Sequence, residues 1–479
     1  MLKLYNTLSK TKEEFAPINP GKASMYTCGP TVYDFIHIGN IRTFVTPDVL
    51  RRYLEYLGYE VRQIKNVTDV GHLTNDDLDQ GDTGEDKIEK KAKKEHKTPE
   101  EIARFYEGIF KETEKEMNIL PANYFPRASA HIQEMIKLIQ GLLEKGYAYE
   151  KNGNVFFDVT KFPEYGKLSG NTLENLKVGA RLEEHPDKKN PWDFALWLKA
   201  PANHIMKWDS PWSVGYPGWH IECSAMSMQY LGDTIDIHTG GEDNIFPHHE
   251  AEIAQSECYS GAKFVNYWIH TRHLLADGEK MSKSKGNFYT LSDIKEKGYS
   301  PMDLRMAILS AHYRSQMNFT WTAMDQAEAN LTALNNFYAR LLDHKITGSD
   351  KLSNMTTGKY RKDFEKAIDD DLNTPKALSV VFEFASDANK LMDENLLGNP
   401  GKAKKLLEIF ARILGLKLEV IEIPKEIKAL AEERKVAREN KDFRKSDELR
   451  DAIDKLGYII EDTRNNNYII KPARRGGKK

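Results

Sequence analysis

Ala23-Ser-Met-Tyr-Thr-Cys28 is a short apolar run that stops at Gly29-Pro30. A buried strand ending in a turn has this form. Beyond it Phe44, Val45, Val49, Tyr53, Leu54 and Leu57 recur at helical spacing, and Gly58 suits the end of a helix. Tyr59-Glu-Val-Arg-Gln-Ile-Lys-Asn-Val67 then reads as a second strand. Strand, crossover helix and strand over residues 23–69 predict a βαβ unit, and with it an α/β fold built on a doubly wound parallel sheet.

Outward from this unit, residues 74–100 are dense in Asp, Glu and Lys and read as a solvated loop or exposed helix face. Residues 118–210 break the αβ rhythm with Pro and Gly turns and read as an insertion. The rhythm returns at Thr234-Ile-Asp-Ile-His238 and Phe264-Val-Asn-Tyr-Trp-Ile-His270. After about 300 the sequence is helical, with stripes at Leu331, Leu334, Tyr338 and Leu341 and at Leu406, Ile409, Phe410, Ile413 and Leu414. Pro424 marks a boundary, followed by a helix pair and a hairpin-like Tyr458-Ile-Ile and Tyr468-Ile-Ile. Five segments are expected: 1–117 and 211–300 as two halves of a Rossmann-like domain, 118–210 inserted between them, a helical bundle at 301–423 and a small α+β tail at 424–479.

With 479 residues, 40% hydrophobic and 29% charged, the chain has ample material for several cores. Its 69 Lys+Arg against 72 Asp+Glu give −3, which excludes a uniformly basic coat. The charge is uneven, however: residues 425–479 carry 16 basic and 11 acidic side chains, a net +5. Cys28, Cys223 and Cys258 are too few for a disulfide scaffold, and no apolar run approaches a membrane span, so a cytoplasmic protein is expected.

Two short motifs carry chemistry. His37-Ile38-Gly39-Asn40 falls where the strand gives way to the helix. Gly39 would let a phosphate approach the backbone, the helix N-terminus would offer free N–H groups, and His37 could donate to phosphate oxygens as charge develops. A His and a Gly at such a turn are more often structural. Lys280-Met281-Ser282-Lys283-Ser284, between Gly278 and Gly286, offers two cations on a loop able to close over a polyphosphate. Most Lys/Ser stretches are merely solvated, so the two motifs weigh more together than apart. By residue type, Cys28, Cys223, His248 and Glu252 could ligate zinc, but their separations make a poor metal signature. His248 and Glu252 would share a helix face if Pro247 opens a helix.

On an αβ scaffold the pair resembles the His-Ile-Gly-His and Lys-Met-Ser-Lys-Ser signatures of class I aminoacyl-tRNA synthetases. Tyr26-Thr-Cys28-Gly-Pro-Thr-Val-Tyr-Asp, Gly218-Trp-His-Ile-Glu-Cys223-Ser-Ala-Met and Gly240-Gly-Glu-Asp-Asn-Ile-Phe-Pro-His248-His-Glu-Ala-Glu252 resemble the cysteinyl-tRNA synthetase family. The likeness runs through His312-Tyr-Arg-Ser-Gln to Arg450-Asp-Ala-Ile-Asp-Lys-Leu-Gly. It implies one zinc per chain on Cys28, Cys223, His248 and Glu252, with the metal taking the substrate's sulfur as a fifth ligand or in place of one. His249 is an alternative ligand. It also implies a cysteine pocket at Gly29, Thr68, Trp219 and His238. ATP, with Mg, would meet His37, Gly39, Asn40, Gly240, Gly241, Asp243, Lys280 and Lys283, and His37, Asn40, Lys280 and Lys283 would carry the chemistry. Asn40 replaces the family's common His and can still donate without charge.

Zinc would stabilise a thiolate far better than serine's hydroxyl, which would lessen the need for an editing site. The implied activity is a cysteine–tRNA ligase acting as a monomer on L-cysteine, ATP and tRNA(Cys). A ligase passing cysteine to a small amine, and a zinc-stabilised RNA-binding protein, are the rivals. The helical region and basic tail favour tRNA over an amine; the two lysines favour catalysis over binding alone.

Overall fold

The computed structural model describes every residue except 72–84, 173, 175–184, 283–284, 345–353, 421–422, 463–467 and 473–479. The chain opens with an antiparallel pair, β1 (Lys3–Asn6) and β2 (Thr11–Glu14). Then come β3 (Lys22–Thr27), α1 (Ile38–Tyr56) and β4 (Glu60–Lys65), the expected unit. Gly58 turns the chain between them at φ +94°, a conformation that costs a residue with Cβ. Helices α2 (Lys87–Glu95), α3 (Pro99–Glu116) and α4 (Ile132–Glu144) follow.

Strands β5 (Ala148–Lys151), β6 (Asn154–Phe157), β7 (Phe194–Lys199) and β8 (Gly215–Pro217) pair antiparallel in sequence order. This inserted sheet therefore continues past residue 210. The αβ rhythm resumes with α5 (Trp219–Leu231), β9 (Ile235–Gly241), α6 (Glu250–Ser260) and β10 (Val265–Thr271). The central sheet has the order β10-β9-β3-β4, parallel throughout. The fold is α/β, with a doubly wound parallel sheet.

A short hairpin, β11 (Leu274–Ala276) and β12 (Glu279–Lys280), leads into the second signature. After α7 (Leu291–Glu296) and α8 (Pro301–Leu309), β13 (Met317–Phe319) returns to pair in parallel with β11. Helices α9 (Trp321–Asp343), α10 (Asn354–Asp369), α11 (Thr374–Asp393) and α12 (Pro400–Leu414) form the bundle. The tail is α13 (Lys425–Glu439), α14 (Phe443–Lys455) and the hairpin β14 (Tyr458–Asp462) with β15 (Tyr468–Pro472).

Two cores flank the sheet. One joins α1 to the bundle; the other joins α4, α5 and α6 to the inserted strands. Arg305 on α8 is buried where α1, α3 and α12 meet, ion-paired with Asp48 and donating to the carbonyls of Leu414 (2.8 Å) and Met117 (2.9 Å).

Two patterns differ from expectation. Within 74–100, α2 is not simply solvated, because Ile88 and Ala92 bury an apolar stripe against α3 and Val67; residues 74–84 lie outside the described residues. In α9 the core takes Phe337 with Leu331, Leu334 and Leu341, while Tyr338 turns outward to Glu408 (3.0 Å). A phenol spends its position better with its hydroxyl paired at the rim. Among the described residues no helix is long and apolar enough to cross a membrane.

Candidate active site and metal centre

The carboxyl ends of β3 and β9 meet the first turns of α1, α5 and α6, the crevice where open α/β sheets take ligands. Cys28 stands at the end of β3, Cys223 on α5 and His248 just before α6. One ligating atom from each lies within 4.8 Å of the others, and all three residues are buried. Cys28 Sγ is 3.7 Å from His248 Nε2. Glu252 is one turn further along, its Oε1 3.1 Å from the same nitrogen, so the i,i+4 face expected from the sequence forms. Its ligating oxygen groups instead with His238 and His249 in a second triad. The four expected ligands thus split, three together and Glu252 bridging to the neighbouring histidines.

The residues suit zinc. Two sulfurs and an imidazole are its preferred donors, and buried Glu252 Oε1, ion-paired with His248, accepts no well-formed hydrogen bond among the described residues. The same buried groups perturb one another's charge. Burial, then the neighbouring Cys28, pushes the Cys223 thiol well above its ordinary range. Burial opposes charge on His248 too, yet Cys223 and Glu252 push it up to about 10. Burial likewise opposes charge on Glu252, and His238 with His248 outweighs it, holding the carboxyl at about 2.

Around this cluster, Trp219 stacks on His248 with ring centroids 4.3 Å apart. His238 Nε2 meets Glu252 Oε2 at 3.0 Å and stacks on Trp268. Gly29 donates to Asn66 Oδ1 (2.7 Å), and any Cβ there would collide with the Asn66 carbonyl. Thr68 donates to Glu222 Oε2 (2.8 Å). Gly29, Thr68, Trp219 and His238 therefore border one region. Sequence reading missed Asn66 and Glu222, although a lone carboxylate among Ile221, Cys223, Ala225 and Met226 was a readable signal. It also missed His270, which meets His249 Nδ1 at 2.8 Å and Thr7 Oγ1 at 2.8 Å.

The first signature departs from expectation. His37 is the N-cap of α1, its Nδ1 accepting from the amides of Gly39 (3.0 Å) and Asn40 (3.2 Å). Asn40 Oδ1 accepts in return from the His37 amide (3.1 Å), a capping box. Ile38 donates to Tyr289 O and Ile41 to His37 O, so the helix offers no free N–H in its first turn. The expected backbone phosphate cradle is closed by the cap. With Nδ1 accepting, the ring proton belongs on Nε2.

The second signature lies alongside. The His37 ring packs edge-on to Phe288, and Met281 reaches Gly39. Lys280 ends β12 and is exposed; Lys283 lies outside the described residues. Asp243 is exposed in a short turn after β9. A Cβ on Gly241 would make only ordinary contact with Thr43 Oγ1 of α1 (3.8 Å), whereas a Cβ on Gly240 would strike the His249 ring.

A family model described as the tRNA synthetases class I (C) catalytic domain matches residues 14–329. A curated cysteine–tRNA ligase from Chlorobaculum tepidum is 44% identical over 97% of each chain. The chain belongs to the class I cysteine–tRNA ligases. Another member, from Thermus thermophilus, is 45% identical over 97% of this chain and 98% of its own. A DALR domain model matches 363–419, and a cysteinyl-tRNA ligase anticodon binding domain model matches 422–469. Solved structures show the shared fold at low identity. A Mycobacterium tuberculosis methionyl-tRNA synthetase with methionyl-adenylate has TM-score 0.58 at 13% identity, covering 82% of this chain and 88% of its own. A LeuRS–tRNA–LeuAMS complex from Agrobacterium radiobacter K84 has 0.59 at 11%, covering 84% of each. Cysteine–tRNA ligases charge tRNA with cysteine at the expense of ATP.

Proposed function

We propose that the chain activates L-cysteine as its adenylate and passes the cysteinyl group to the 3′-terminal adenosine of tRNA(Cys), with the substrate's thiolate read by a single zinc. The observation that carries this reading is the convergence of Cys28, Cys223 and His248 within 4.8 Å in the same crevice as His37. Zinc, when bound by these residues with Glu252 beside them, supplies a soft Lewis acid that favours a thiolate over a hydroxyl.

The chain's own residues do the rest. Trp219, Thr68, Gly29 and His238 shape the amino-acid pocket. Cysteine's carboxylate attacks the α-phosphate of ATP, and pyrophosphate leaves. His37 Nε2–H, with Lys280 and Lys283, donates to the oxygens on which charge builds. Asn40, whose Oδ1 the cap engages, keeps its amide N–H₂ for phosphate. Gly39, Gly240, Gly241 and Asp243 border ATP and its Mg. No covalent enzyme intermediate is required; positioning and charge stabilisation suffice. Residues 1–117 and 218–300 make the catalytic domain around an insertion that runs from 118 through β8, with 301–423 as a tRNA-binding unit and 424–479 as an anticodon-recognition unit on a monomer. The test is cysteine-dependent ATP–pyrophosphate exchange followed by transfer of labelled cysteine to tRNA. Exchange that serine supports equally would defeat the zinc reading.

A further inference from the structure

Arg42 lies on α1 just past Asn40, and only 1% of its surface is exposed. Among the described residues no carboxylate is ion-paired with its guanidinium. Nη1 donates to the carbonyls of Arg272 (2.8 Å) and His273 (3.2 Å), between β10 and β11. Nη2 donates to those of His312 (2.9 Å) and Ser315 (2.6 Å), just before β13. A buried cation held by backbone carbonyls alone is a costly arrangement, and burial lowers its pKa to about 10 against the opposing field of Glu242. Such a group needs a use.

Both gripped segments lead to the second signature. Arg272 and His273 run into β11, which pairs with β12 and so carries Lys280; Ser315 runs into β13, the other neighbour of β11. The two segments are tied together as well, by Arg272 N to Tyr313 O (2.9 Å) and Gln316 Nε2 to His273 Nε2 (2.8 Å). His312-Tyr-Arg-Ser-Gln, which has no role in the pocket, is thus the cradle for this guanidinium. The side chains of Tyr313 and Arg314 face the other way, both donating to Asp371 of the bundle (2.6 Å each).

We infer that Arg42 is a positioning residue for adenylate formation: its planar fork fixes the spacing between the His37-bearing end of α1 and the sheet that carries Lys280. This rests on the synthetase reading given above. A lysine would keep stem and charge but lose the fork, reaching one carbonyl pair and not both.

In the full-length enzyme, Arg42→Lys is expected to lower kcat of cysteine-dependent ATP–pyrophosphate exchange by about tenfold or more, since small misplacements at a reacting centre are costly. The KM for cysteine should stay within about twofold, because the amino-acid pocket uses other elements. An unchanged kcat in folded R42K overturns the inference. So does a parallel loss of kcat and cysteine affinity, which would mark general structural support. Absence of exchange in the parent enzyme would instead defeat the synthetase reading. If R42K does not fold, hydrogen exchange on the parent enzyme decides. Adding a non-hydrolysable ATP analogue with cysteine should protect α1, residues 272–280 and 312–319 together, and protection of α1 alone overturns the inference.

Discussion

Met281 Cε lies over the Cα of Gly39, so close that a Cβ on Gly39 would stand 2.9 Å from it and 2.8 Å from the His37 ring. Glycine here is a matter of fit between the two signatures rather than of backbone freedom. Gly39→Ala should leave the protein folded, since alanine favours helices by roughly 1 kcal/mol over glycine. It should nonetheless impair ATP–pyrophosphate exchange by shifting His37 or the Met281 loop. Adding Met281→Ala should recover only part of the loss, because the clash with His37 remains. Wild-type exchange by G39A would show that the loop stands clear of the site during turnover.

His37 has two duties that substitution can separate. Asparagine is among the best N-caps but cannot reach outward as Nε2 does. His37→Asn is expected to melt near the parent temperature while losing ~2–4 kcal/mol of transition-state stabilisation, the scale of one preorganised donor. His37→Ala should in addition lose about 1 kcal/mol of fold stability. The thermal melt and the exchange rate, measured on both variants, check the separation.

The metal cluster makes its claim at one atom. Elemental analysis should find one zinc per chain, reduced in Cys223→Ser together with cysteine affinity, while ATP binding persists. In the cobalt-substituted enzyme, cysteine should alter the visible spectrum through a new sulfur–metal bond, and serine should not. A spectrum indifferent to cysteine in an active enzyme would make the metal structural.

The Arg305–Asp48 pair gives a stability prediction with a pH sign. Burial opposes charge on Asp48, but Arg305, then Arg52 and the Leu120 amide, hold its carboxyl below the ordinary range. That stabilisation is present above the unfolded value of about 3.9 and is lost as pH falls through the folded one. Arg305→Met should cost roughly 3–5 kcal/mol at neutral pH, as expected when one partner of a buried pair is removed. Equilibrium denaturation at pH 7 and at about pH 3 tests this, and the penalty should shrink only at the lower pH, below the unfolded value.

Removing residues 425–479 should spare ATP–pyrophosphate exchange and weaken tRNA charging, with a shallower salt dependence as phosphate contacts are lost. Unchanged tRNA affinity in the truncated chain would rule out the tail as a second contact surface.

Much of this was legible from residue order. The 3.6-residue recurrence from Phe44 to Leu57 fixes α1, and two compact signatures point to nucleotide chemistry. The rest was hidden where contacts are long-range or donors are already spent. Spacing could not join Cys28 to Cys223 and His248, nor show that Glu252 leans toward His238 and His249. Nothing in His-Ile-Gly-Asn announces that His37 and Asn40 satisfy the helix end themselves. Arg42 reads as one more charged residue because its partners are carbonyls, which leave no trace in sequence. Ile88 and Ala92 were obscured by the lysines and glutamates around them.

The sheet order has a consequence for how the protein is made. β3 lies between β4 and β9, and Ser24 on β3 is hydrogen-bonded to Asp236, 212 residues away. On a ribosome adding about 5–20 residues per second, that interval lasts on the order of 10–40 s. Through nearly all of it Cys28 has neither Cys223 nor His248 for company. Newly started chains therefore pass through a window in which this thiol is open to oxidants that the finished crevice excludes.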